Sequence, residues 1–215
     1  MIRIVEAGAA VAAMALALVL QPASAQIIPP PGGSGVAPAI PPAAAPVQPP
    51  DAAERRRAEA NRILDALPAA PDETTAAMLE ARLRTLWSQG GSPAVSLLMR
   101  RAIRNLEANA PAEAVEDLDA AITLQPDFPE SWILRAQAQA AAGDPRAAAA
   151  DLREALRLEP RHFGALTALS SVLEDAGDLQ GALRSLDAAL AINPKQSGAA
   201  ARQRDLRRRA LGDDT

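Results

Sequence analysis

The side chains that could do covalent or acid–base chemistry are few. The chain has one histidine, His162, and no cysteine, so a thiol nucleophile is absent and only one imidazole could act as a base near neutral pH. A histidine base needs an orienting partner and a pocket, whereas His162 sits in Glu159-Pro160-Arg161-His162-Phe163, a segment that reads as a joint between helices. His162 is therefore read as a junction residue. Glu116, Asp117 and Asp119 follow one another along a single helix and Glu174-Asp175 close another. Neither group has the glycine-punctuated loop of a calcium site, and both are read as solvated faces. No glycine-rich phosphate loop follows a strand. Catalytic, metal and cofactor sites are thus expected to be absent, and the function classes left are binding and assembly.

Arg202, Arg204, Arg207, Arg208 and Arg209 form the one concentrated run of charge. Asp205, Asp213 and Asp214 dilute it and the net charge is −4, so it is read as the solvated face of a terminal helix and not as a nucleic-acid contact. Contact with anionic lipid or an acidic partner is the remaining alternative for this run.

Aromatic residues make up only 2% of the 215 residues and tyrosine is missing. The apolar content is mostly alanine and leucine, which suits closely packed helices and not a sandwich or barrel. The fold class expected is all-α.

Residues 1–25 read as an export signal: Arg3, an apolar run from Ala7 to Leu20, and Ala23-Ser24-Ala25 before the cleavage point. The run is shorter than the roughly 20 apolar residues that span a bilayer, so cleavage after Ala25, a periplasmic location and no integral span in the mature chain are expected. Residues 26–50 are Pro, Ala, Gly and other small residues, a tether with no means of building a core. They lack the basic flanks and repeated PxxP spacing of a proline-rich ligand.

Residues 51–94 contain two helical patterns. Asp51 caps the first, with Ile63, Leu64 and Leu67 on its apolar side; Asp72 caps the second, with Leu79, Leu83, Leu86 and Trp87, until Gly90-Gly91. From Val95 onward the chain repeats itself. Pro126, Pro160 and Pro194 are 34 residues apart. Aligned on them, Ala114, Ala148 and Ala182 form one column, Leu118, Leu152 and Leu186 a second, and Ala121, Ala155 and Ala189 a third. Each unit, 95–128, 129–162 and 163–196, has the punctuation of a helix pair: Gly143-Asp144-Pro145, Gly177-Asp178, and Asn109 with Pro111. Small columns let helices cross closely, and leucine fills the space between them. Residues 197–215 supply a final polar helix and tail.

The columns resemble the tetratricopeptide repeat, whose second helix carries Ala, Phe, Ala and Pro. Leucine replaces the aromatic in all three units. On the first helix Leu98, Trp132 and Leu166 fill the leading position and Ala102, Ala136 and Ser170 the small one, while Arg101 and Arg135 stand where leucine is usual. These arginines are read as variants whose stems pack while the guanidinium reaches water or a carbonyl. The stretches Trp87-Ser88-Gln89 through Leu98-Met99 and Glu159 to Gly164 also resemble exported alphaproteobacterial proteins of this family.

The resemblance implies a right-handed α-solenoid of three helix pairs, with the hairpin at 51–94 as an N-terminal cap over the open face of the first repeat and 197–215 as a C-terminal cap. It also implies a concave ligand face made by the first helix of each pair. The residues placed there are Met99, Ile103 and Leu106, then Glu130, Ile133 and Gln137, then Thr167, Ser171, Glu174 and Asp175, a groove apolar at one end and acidic at the other. It lacks the Lys and Asn set with which cytosolic relatives clamp a C-terminal carboxylate. The expected partner is a peptide or helix of another protein, apolar with a basic end toward Glu174. Two alternatives stay open: the hairpin covers the apolar patch, or the patch forms a homodimer.

Overall fold

The computed structural model describes residues 51–211. Within that span the chain is helical, with α1 (Ala52–Ala66), α2 (Glu73–Ser88), α3 (Pro93–Glu107), α4 (Pro111–Leu124), α5 (Pro129–Ala141), α6 (Pro145–Leu158), α7 (Phe163–Asp175), α8 (Leu179–Ile192) and α9 (Ala199–Leu211). The expected export signal and tether, residues 1–50, and residues 212–215 lie outside the described residues. No helix among the described residues is long and apolar enough to cross a membrane.

The helix boundaries follow from local chemistry. Asp51 and Glu54 form a reciprocal capping box: the Asp51 carboxylate accepts the Glu54 N–H at 2.7 Å and the Glu54 carboxylate accepts the Asp51 N–H at 3.0 Å. Asp72, Asp144 and Asp178 cap α2, α6 and α8 by accepting N–H groups three residues on. The first helix of each pair ends in the same left-handed turn. Asn109, Gly143 and Gly177 have φ of 57°, 85° and 83°, and the following N–H of Ala110, Asp144 or Asp178 donates back to Asn105, Gln139 or Leu173 at 2.8–2.9 Å. This is the double-bonded C-terminal motif that a residue tolerant of positive φ permits. Asparagine does the work of glycine in the first pair.

Helices α3 to α9 stack in chain order, each on its neighbour. The repeating columns are the core: Ala114, Ala148, Ala182, Ala121, Ala155 and Ala189 are inaccessible to solvent, as are Leu118 and Leu186, with Leu152 nearly so. Burying each such leucine contributes about 1.5–3 kcal/mol. Helix α9 closes the far end through Ala199 and Leu206. It begins two residues later than the expected Ser197 because Gly198, at φ 71°, cannot belong to a right-handed helix.

The N-terminal hairpin forms, but its apolar side goes elsewhere than expected. It does not cover the open face of the first repeat. Leu64, Leu67, Leu83 and Leu86 pack with Phe163 and Ala189, flanked by Leu166 and Ile192, so the hairpin is spent on α7 and α8. It gets there by lying along the joints between pairs. Gly90 C=O accepts from Gln125 Nε2 at 3.1 Å at the first joint, Trp87 stacks on His162 at the second, and Glu80 accepts from Asn193 Nδ2 at 2.5 Å at the third. Arg161 pairs with Asp65 at 2.7 Å. Gln125, Glu159 and Asn193 are equivalent positions of the repeat, so the hairpin acts as a strut across a row of joints. Where it turns into α3, Gly91 is required: a Cβ there would lie 2.9 Å from the Phe128 ring.

Candidate functional site

The first helices of the three pairs, α3, α5 and α7, carry the residues expected to line a groove. Met99 and Leu106 are half-buried and rest against the core of the first two pairs, with Ala102, Leu118 and Leu134 among its members. Met99 Sδ lies 3.8 Å from the Ser131 hydroxyl. Ile103, between them, is 42% exposed. Gln137 is exposed on the next helix, while Ile133 is buried in the core shared with Leu169 and Leu173. The hairpin cluster contains none of Met99, Ile103 and Leu106. The apolar end of this face is therefore left open by the strut.

The other end is already partnered within the chain. Glu174 Oε2 accepts from Arg202 Nη2 at 2.9 Å and Oε1 pairs with Arg209. The Arg202 hydrogen bond, reinforced by Arg209, holds the Glu174 carboxyl below its ordinary 4.5. Asp175 remains exposed. Thr167 Oγ1 lies 3.0 Å from the Phe163 carbonyl and 3.2 Å from Gln196 Oε1, and the Ser171 hydroxyl donates to the Thr167 carbonyl at 3.3 Å. The acidic end foreseen for a basic ligand is thus reduced to Asp175, since α9 neutralises Glu174.

His162 is held on three sides. Its Nδ1 accepts the Ala165 N–H at 3.0 Å, which caps α7 and puts the ring proton on Nε2. Nε2 then donates to Glu130 Oε1 at 3.0 Å. The ring stacks on Trp87 with centroids 3.9 Å apart. Glu130, expected to face a ligand, is engaged in fixing this joint. A cleft of about 670 Å³ opens beside it, with Arg56, Trp87, Phe128 and Leu158 among its walls. Among the described residues no group of three metal-ligating side chains occurs.

Sequence reasoning missed a row of ion pairs. Asp117 and Asp151 are buried, not on a solvated face. Arg101 Nε donates to Asp117 at 2.7 Å, with Nη2 on the same oxygen, and Asn105 Nδ2 reaches the other at 3.1 Å. Arg135 grips Asp151 with Nε and Nη2 at 2.7 and 2.8 Å, and its Nη1 reaches back to Asp119 of the preceding pair at 2.6 Å. The arginines at the usual leucine position are thus bound to carboxylates, not to water or carbonyls. The signal was present: each arginine precedes its aspartate by 16 residues, and the two pairs are 34 apart.

Residues 133–197 match the tetratricopeptide repeat family. A TPR repeat-containing protein of Rhizobium etli is 36% identical over 74 residues, which is 34% of this chain and 35% of that protein. The chain therefore matches about a third of that relative's length. The first tetratricopeptide-repeat domain of Spaghetti (RPAP3), solved with the HSP90 peptide SRMEEVD, superposes with TM-score 0.54 at 16% identity, covering 56% of this chain and 96% of that one. The Sgt2 domain of Aspergillus fumigatus gives 0.53 at 21% identity, covering 56% and 82%. Its columns, its paired helices and these likenesses agree: residues 133–197 carry tetratricopeptide repeats, and the stacked helix pairs of the described residues share the fold of such domains.

Proposed function

We propose that this chain is an exported scaffold of the periplasm, without chemistry of its own, that holds an apolar segment or helix of another protein against the α3–α5 face. The observation that carries this reading is the open strip of Met99, Ile103 and Leu106. The hairpin, the only other apolar element at hand among the described residues, is committed to α7 and α8. Met and Ile suit such a role, since flexible and branched apolar side chains adapt to a helix laid across them.

The RPAP3 domain of the same fold holds the acidic peptide SRMEEVD. The mode suggested here differs in chemistry. The single lysine of this chain, Lys195, lies at the third joint near Asp72, and the proposed strip presents no lysine to an acidic tail. An apolar ligand is the one favoured. A photoreactive residue placed at position 103 of the full chain, in its native cell, tests both halves of the proposal. The expected result is a discrete adduct recovered with the periplasmic fraction and absent from the Met99→Glu background. Recovery of the chain in the cytoplasm, or no adduct, contradicts it.

A further inference from the structure

The stacking face of the first pair has no neighbour among the described residues. In the second and third pairs the equivalent positions face the pair before: Ser131 and Ala165 are 0% exposed. In the first pair that position is Leu97, 58% exposed. The arginine row is interrupted at the same place. Arg135 uses Nη1 to take Asp119 from the preceding pair and is 17% exposed, whereas the Arg101 side chain is 57% exposed and its Nη1 has no acceptor among the described residues. Arg100 and Arg104, a turn apart on α3, also make no ion pair among the described residues.

We infer that this face of α3 docks an acidic amphipathic helix of a partner protein, which covers Leu97 and gives Arg101 the carboxylate that Asp119 gives Arg135. The charge of the chain itself argues for a foreign source. Residues 7–50 contain no Asp or Glu, so they cannot supply the carboxylate. A second copy stacking head to tail would bring α9 toward Arg100 and Arg104. There Arg207 and Arg208 are answered by Asp187 and Asp205, but exposed Arg204 makes no ion pair among the described residues, a like-charge contact that disfavours this arrangement. This surface lies on the end of the solenoid, apart from the Met99–Leu106 strip.

The test uses the full chain and a blocked, alanine-based helical peptide with glutamates along one side, against its glutamine twin, read by fluorescence anisotropy. The glutamate peptide should bind at least about tenfold more tightly than the twin at low salt, the scale of one close charge pair. Leu97→Glu and Arg104→Glu, both at exposed positions, should each weaken it by about tenfold or more, while Ile103→Glu and Arg204→Glu should leave it unchanged. Equal binding of the twins overturns the inference, as does loss of binding through Ile103→Glu or Arg204→Glu in place of Leu97→Glu. Sedimentation showing a dimer that Leu97→Glu dissolves overturns the choice of a foreign partner.

Discussion

The Trp87 indole lies flat on the His162 imidazole, with ring centroids 3.9 Å apart and planes 25° from parallel. The two residues are 75 positions apart in the chain, and their contact fastens the N-terminal hairpin to the joint between the second and third helix pairs. Trp87→Ala should cost about 3 kcal/mol, the scale of a large aromatic truncated in packed surroundings. The loss should be local. Hydrogen exchange is expected to accelerate across α1 and α2 while α5 to α8 keep their protection; uniform acceleration would mean that the hairpin is part of one cooperative unit.

The row of ion pairs predicts an asymmetry. Arg135→Ala leaves the buried Asp151 without its partner and should cost about 3–5 kcal/mol. The third pair shows how to dispense with the charge, since Leu169 and Ser185 occupy the equivalent positions. Arg135→Leu combined with Asp151→Ser should therefore recover most of the loss in a denaturant titration. A double variant as unstable as Arg135→Ala would show that the pair holds the fold for another reason.

Helix α9 should loosen in acid. Arg202 and Arg209 hold the Glu174 carboxyl below its ordinary value, and Arg208 does the same for Asp205. A depressed pKa contributes stability that is full above the unfolded value, 4.5 for Glu174, and disappears as pH falls through the lowered folded value. Amide protection in α9 should fall below about pH 4.5 before that of α5 and α6, and Glu174→Gln should flatten the profile. No difference between the wild type and Glu174→Gln from pH 7 to 3 would remove Glu174 from the account.

Close crossing in the middle of the solenoid is tested by overpacking. Ala148 is inaccessible to solvent, and Ala148→Trp should cost about 1–3 kcal/mol or more. Arg204→Ala, at an exposed site on α9, should change stability by less than about 0.5 kcal/mol. Equal melting of the two variants would contradict the alignment of columns.

The parts of the fold legible in the sequence are those written more than once. Ala148 and Leu152 each have copies 34 residues on either side, and glycine or asparagine recurs where each first helix must turn left-handed. Periodicity of that kind reports neighbours without any knowledge of distant contacts. The path of the hairpin had no such copy. Trp87 looks like any apolar helix residue until His162 is placed beneath it, and Leu64 or Leu83 could have covered Met99 as readily as Phe163. Helical spacing made the exposure of Ile103, Gln137 and Asp175 on the first helices legible, though not the burial of Ile133. The electrostatics of that face were not legible either, because Glu174 is answered by arginines 28 and 35 residues later on α9. Asp117 was read as solvated for a related reason. Its burial depends on Arg101, whose departure from the usual leucine made sense only once both were in place.

The open strip can be checked in the cell, because the chain has no cysteine of its own. The measurement is the rate of maleimide labelling of Ile103→Cys, referred to Met78→Cys, which sits at a position 69% exposed on α2. In the purified chain the two thiols should react at comparable rates. In the native cell Ile103→Cys should be slowed relative to Met78→Cys, because a partner occupies the strip; equal relative rates inside and outside the cell would contradict a scaffold that works through this face.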